Sequence, residues 1–341
     1  MYKKTNLFFL FCSLALVLAL VAAAIWGAVQ IEPQQMWLAF QHALEQKSAS
    51  SIQEGVFWQI RLPRVLLCTI TGSVLAVSGV LMQGLFRNPI VEPGLTGTSA
   101  GAAFGAAFVF VLGPILSPGL KSIAGPLLVP AFAFVGGLLA TFFVYRLSIK
   151  NNRHSTLHLL LVGIAINGLA LSGTGFLTYI ARDPQARSIV FWNLGTFSGA
   201  TWQQVGLTAV ISTLCFILAL RYAKKLNALL LGEAEAGYLG IEVAVLKRKI
   251  LLVNTIMVSI TTAFVGVISF MGLITPHILR AIIGSDNRKL LPAAAMAGAL
   301  LLLLADLAAR LLLAPAEIPI GIITSLVGAP LFIFLSRQFQ R

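Results

Sequence analysis

Charge is scarce in this sequence. Only 10% of its 341 residues are Asp, Glu, Lys or Arg, against about 25% in a soluble chain of ordinary composition. Acids are scarcer still, 11 against 24 basic residues. With 58% hydrophobic residues, the chain has too little polar surface to cover a soluble fold of its size. Cysteine is almost missing. Cys12, Cys68 and Cys215 match neither a metal-ligand spacing nor a disulfide framework; each lies in an apolar run, as a small packing residue. No GxxxxGK[ST] occurs, which excludes ATP binding through a P-loop. No paired nucleophile and base emerges, so nothing points to an enzyme. His154 and His158, four apart, have no nearby Cys or carboxylate to complete a metal site, and His277 follows a proline in a short apolar run.

What is present is a series of long apolar runs, and about 20 such residues span a bilayer core. The runs have helix length and lack the roughly ten-residue alternation of a barrel. An all-α polytopic membrane protein follows, a single transmembrane domain over residues 1–341. About ten spans are predicted, near 7–29, 62–86, 95–113, 124–146, 157–181, 203–222, 250–269, 272–284, 290–313 and 318–336. The first run follows Lys3 and Lys4 and is too long for a signal-peptide core, so it reads as a retained helix.

The net charge of +13 raises the question of nucleic acid, but the basic residues gather in short loops, as the positive-inside rule expects. With the N-terminus in the cytoplasm, sixteen Lys and Arg fall inside and seven outside, with Arg280 within a span. Both termini are then cytoplasmic. Lys47, Arg61, Arg64, Lys121, Arg182, Arg187 and Arg310 lie outside, against the charge bias. Asp306 and Arg310 are four apart on one helix, a spacing that supports an ion pair.

Two loops are informative. The larger, about 223–249, reads AKKLNALLLGEAEAGYLGIEVAVLKRK. Within it Gly232 and Gly240 flank a short stretch that suggests one or two small helices with a bend, presented to a partner at the cytoplasmic face. The other is LFRNPIVEPGLTGTSAGAAFGAAF, 85–108. Gly97, Gly101 and Gly105 leave one helix face bare for close packing. Asn88, Glu92, Thr96, Thr98 and Ser99 crowd one end, where polar groups could line a gated passage.

QIRLPR, SGVLMQGLFRNPIVEPGLTGTSAGA, LGEAEAGYLGI, GLITPHILR and LLLADLAARLLLAPAEIPIGIITSLVGAPLFI together resemble the FecCD family, the permease subunits of type II ABC importers for iron–siderophores, haem and cobalamin. The resemblance runs from about residue 57 to 338. It implies a ten-span type II importer permease fold and a homodimer of permeases in the inner membrane. It also implies two ATP-binding cassette subunits inside and a periplasmic substrate-binding protein outside. ATP would be used by those partners, and no cofactor is held by this chain. The resemblance further implies that Arg61, Arg64 and Arg310 dock the binding protein through its glutamates. Coupling to the ATPase would fall on Leu226 to Ile241, including Leu230, Gly232, Glu233, Glu235 and Gly240. Gates would fall at Asn88 and Ile90, with Thr98 and Ser99 beside them, and at Ser155 and Thr156. IVFWNLGTFSGATW, 189–202, looks like haem-importing members, which ranks haem first, iron–siderophore next and cobalamin third. An ion-coupled secondary transporter using Asp306 and Glu317 is the competing class.

Overall fold

A computed structural model describes residues 2–27, 31–44, 51–116, 125–150, 153–154 and 156–338. Among them the architecture is helical; the one sheet is a two-residue antiparallel pair, β1 Ile149–Lys150 with β2 Arg153–His154. The helices are α1 Tyr2–Ile25, α2 Pro33–Leu44, α3 Ile52–Val56, α4 Leu62–Phe86, α5 Thr98–Leu116, α6 Leu128–Leu147, α7 Thr156–Ile180, α8 Asp183–Asn193, α9 Trp202–Leu231, α10 Glu233–Tyr238, α11 Val243–Val265, α12 Met271–Ile283, α13 Asn287–Leu311 and α14 Ile320–Gln338. Each of the ten predicted spans falls on one of them. Six helical stretches are long and apolar enough to cross a membrane, and three more are shorter apolar helices.

Two span boundaries need correction. The sixth was placed at 203–222, because Lys224 and Lys225 look like loop residues; α9 instead runs on to Leu231. At about 1.5 Å per residue its 30 residues reach about 45 Å, well beyond the hydrocarbon core, so the last turns stand clear with their charges outward. The seventh, placed at 250–269, starts at Val243: the basic run 247–249 lies inside α11. The large loop is thus mostly helix, and only α10 with its flanking turns is separate. Lys47, Lys121 and Arg341 lie outside the described residues.

Local signals explain the ends. Thr201 and Gln204 form a capping box at the start of α9, and Asp286 caps α13 through the Arg288 amide. A π-turn, Phe57–Arg61, joins α3 to α4 and carries Arg61. The core is centred on α4, most of whose residues are buried. It packs against α9, α11, α12 and α13. Small residues set these approaches. A methyl group on Gly72 would overlap the Gly298 carbonyl of α13, and one on Gly79 the Gly272 carbonyl of α12. Gly101 and Gly105 bring α5 against Gly136 and Phe132 of α6 in the same way, the close packing expected of that glycine series.

Candidate functional site

One end of the bundle carries the arginines. α4 opens with Arg64 one turn after Arg61, and α13 closes with Arg310. Exposed basic docking residues were expected here, and the structure corrects that: Arg61 is 4%, Arg64 8% and Arg310 6% exposed. Each guanidinium is already engaged within the chain. Arg64 donates from Nη2 to Asp306 Oδ1 at 2.8 Å, and from Nη1 to both Glu317 carboxylate oxygens at 2.8 Å. Arg310 Nε lies 3.1 Å from Asp306 Oδ2, one turn earlier on α13. Arg310 also donates to the carbonyls of Ala23 and Trp26 at 3.1 Å. Arg61 donates to the carbonyl of Ala24 at 2.9 Å and to that of Ile25.

The physical reason is the C-terminus of α1. The last carbonyls of a helix have no intrahelical donor and carry the negative end of its dipole. Two guanidiniums supply donors and charge together. Asp306 is held between Arg64 and Arg310, so it ties α13 to α4. Asp306 and Glu317 both line a pocket of about 290 Å³ beside Arg64, Phe197 and Ser198; of the two, Glu317 is the exposed one, with 42% of its side chain accessible. The sequence showed the charges but not the carbonyls that draw them inward.

The opposite end carries α10. Gly232 and Gly240 bracket it as expected, with φ of +145° and +77°, values that side-chain-bearing residues rarely adopt. Leu231, Tyr238 and Leu239 are exposed, as is Glu235. Leu226 is not available to a partner: it is fully buried against Gly84 of α4. Its position in the core follows from the extension of α9, which turns one face of residues 223–231 toward α4. Glu233 opens α10 and accepts from Lys247 Nζ at 2.7 Å and Thr156 Oγ1 at 3.0 Å. Lys247 Nζ also donates to Thr156 at 3.0 Å. Burial would raise the Glu233 carboxyl, but the hydrogen bond and charge of Lys247, with Thr156 and Arg87 adding to them, hold it below its usual range. Lys247 was missed from sequence because it opens a run of three basic residues that reads as a solvated loop.

The gate candidates separate. Asn88 lines a cavity of about 650 Å³ together with Leu230, Arg87, His277 and Arg280, so one gate candidate and one coupling candidate share a wall. Ile90 is exposed, and its amide donates to Asn88 Oδ1 at 3.0 Å. Thr98 lines no passage. It is fully buried and hydrogen-bonded to Thr141 at 2.8 Å and Thr96 at 3.1 Å, so its polarity is spent on joining α5 to α6. Ser99 is half-buried. Thr156 belongs to the Glu233–Lys247 network, and Ser155 lies outside the described residues. Glu92 accepts the Phe270 amide at 2.9 Å, at the start of α12. No group of three or more His, Cys, Asp or Glu placed to hold a metal occurs among the described residues.

A model of the FecCD transport family matches residues 15–338. The chain belongs to the FecCD transport family. The match begins within α1, so the first helix shares in the family likeness, contrary to the expectation that likeness starts near residue 57. The chain is 40% identical over 325 residues to the hemin transport system permease protein HmuU of Yersinia pestis, covering 95% of this chain and 93% of that one. It is 41% identical over 280 residues to the vitamin B12 import system permease protein BtuC of Klebsiella pneumoniae, covering 82% and 81%. Among solved structures it matches an inward-facing ABC transporter assigned to the metal-chelate type, with a TM-score of 0.83, 32% identity, and coverage of 98% and 99%. The FecCD protein described here is therefore a multi-pass membrane permease subunit of an ABC importer, not an enzyme. ATP hydrolysis and substrate capture fall to partner subunits. The secondary-transporter alternative is overturned, and the two acids it relied on are paired with arginines.

Proposed function

We propose that this FecCD permease imports haem, as a homodimer in the cytoplasmic membrane with both termini inside. Two ATPase subunits would engage α10 and a binding protein would deliver substrate at the arginine end. Identity to a hemin permease over nearly the whole chain is the observation that carries the substrate assignment. α10 suits the coupling role because its exposed Tyr238 and the adjoining Leu239, with Leu231 at the end of α9, form an apolar knob. At the arginine end the groups that reach the surface to meet a partner are Glu317, exposed though paired with Arg64, and the residues around its pocket, while the arginines are buried.

The dimer reading rests on α7. Leu161, Ala165, Gly168, Ser172, Gly175 and Tyr179 form an exposed stripe at helical spacing, and Gly168 and Gly175 have no neighbouring group near the position of an added methyl. Small residues on one face let a second membrane helix approach closely.

The test is reconstitution with the cognate ATPase and binding protein in lipid vesicles, with uptake measured for haem, a ferric siderophore and cobalamin. ATP-dependent haem uptake is expected. Uptake of cobalamin or siderophore with none of haem would overturn the substrate, and haem accumulation without the ATPase would overturn the coupling.

A further inference from the structure

We propose that Lys247 is the positioning residue that transmits movement of α10 to the start of α7. This rests on the reading of α10 as the ATPase contact. The link spans three helices far apart in sequence. Lys247 stands on α11, a core helix packed against α4 and α6. Its side chain is 1% exposed, while Arg248 and Lys249 beside it are exposed. A buried ammonium must be paired and hydrogen-bonded, and its partners include Glu233, the first residue of α10, and Thr156, the first residue of α7. Thr156 in turn donates to Glu233 at 3.0 Å, which closes the triangle.

The surroundings make this triangle a means of transmission. Positive-φ turns at Gly232 and Gly240 set α10 off from its neighbours, Ala236 seats it on the core, and Glu233 is its charged tie to α11. α7 follows the short β1–β2 pair; in its first turn Leu157 is exposed while Leu159 and Leu160 pack against the core, so the polar triangle and these apolar anchors fix that turn together. A tilt of α10 that carries Glu233 away from Lys247 also removes an acceptor from Thr156. The first turn of α7 then answers to the position of α10 through one buried ammonium.

The test uses the permease assembled with its own ATPase subunits in lipid vesicles. Two quantities are read: transport per ATP hydrolysed, and the distance between spin labels at Tyr238 on α10 and Leu157 on α7, with and without nucleotide. Lys247→Met is expected to lower transport per ATP about tenfold and Thr156→Val about threefold, with the label distance no longer changing with nucleotide. Lys247→Arg should retain most of the coupling, and Lys247→Glu combined with Glu233→Lys should recover part of what Lys247→Glu loses. Wild-type values for both Lys247→Met and Thr156→Val would overturn the proposal. So would a loss that neither Lys247→Arg nor the swapped pair restores. If Lys247→Met fails to assemble, Thr156→Val, which deletes a single hydroxyl, decides alone. A wild-type α10 label that does not respond to nucleotide overturns the coupling reading itself, and this inference with it. A responsive α10 with normal variants overturns only the inference.

Discussion

α4 and α7 are both 25 residues long and similarly apolar, yet they occupy opposite situations. Twenty of the 25 residues of α4 are buried, against four of the 25 of α7. Hydropathy cannot separate them, because lipid tails are as apolar as a protein core. What distinguishes α4 is what meets its small and polar residues. Gly72 and Gly79 lie against backbone carbonyls of α13 and α12, and Ser73 donates to the Ala295 carbonyl at 2.8 Å. α7 carries small residues as well, but Gly168 and Gly175 face open space. A small-residue face in a membrane helix announces a close approach without saying whether the partner is in the same chain.

Three variants break or sharpen this contrast. The largest effect is expected for Arg64→Met at the buried mouth of α4. Removing one partner of a buried ion pair costs about 3–5 kcal/mol, here by leaving Asp306 with Arg310 alone. Denaturant midpoints of the solubilised permease measure it, and a wild-type midpoint would show that the cluster contributes nothing to the fold. Next is Gly79→Val, whose side chain would overlap the Gly272 carbonyl. A loss of about 1–3 kcal/mol is expected from overpacking, read in the same assay. Smallest for the fold is Gly168→Leu with Ser172→Leu on α7, within about 0.5 kcal/mol of wild type as an open surface allows. That variant should nonetheless shift the detergent-solubilised permease from dimer to monomer in light scattering. A midpoint drop as large as that of Gly79→Val would place the α7 stripe inside the subunit and dissolve the contrast.

The same contrast explains what could be read in the sequence. The order of the apolar helices was legible because apolar length is local. The glycines of α5 were read correctly as packing residues because their spacing is local too. Residues whose role depends on distant chain were not legible. Leu226 looks like part of a knob until Gly84, far upstream, is seen to receive it. Thr98 looks like a pore residue until Thr141 accounts for its hydroxyl. Lys247 looks solvated until Thr156 and Glu233 converge on it. Arg61, Arg64 and Arg310 were correctly grouped, but their charge bias suggested water, and the α1 carbonyls that hold them inward leave no mark in residue type.

Those carbonyls also set an order in time. Arg61 reaches back 37 residues to Ala24, and Arg310 reaches back 287 residues to Ala23. A chain is synthesised from its N-terminus, and its segments fold as they emerge. α1 is made before the other helices described, and its end can be clasped by Arg61 soon afterwards. Its second clasp exists only after α13 has been made. A ribosome stalled before residue 310 would leave the first helix held by one guanidinium and one side of the bundle unlatched. A helix made before the rest of this bundle is thus among the last of it to be fixed.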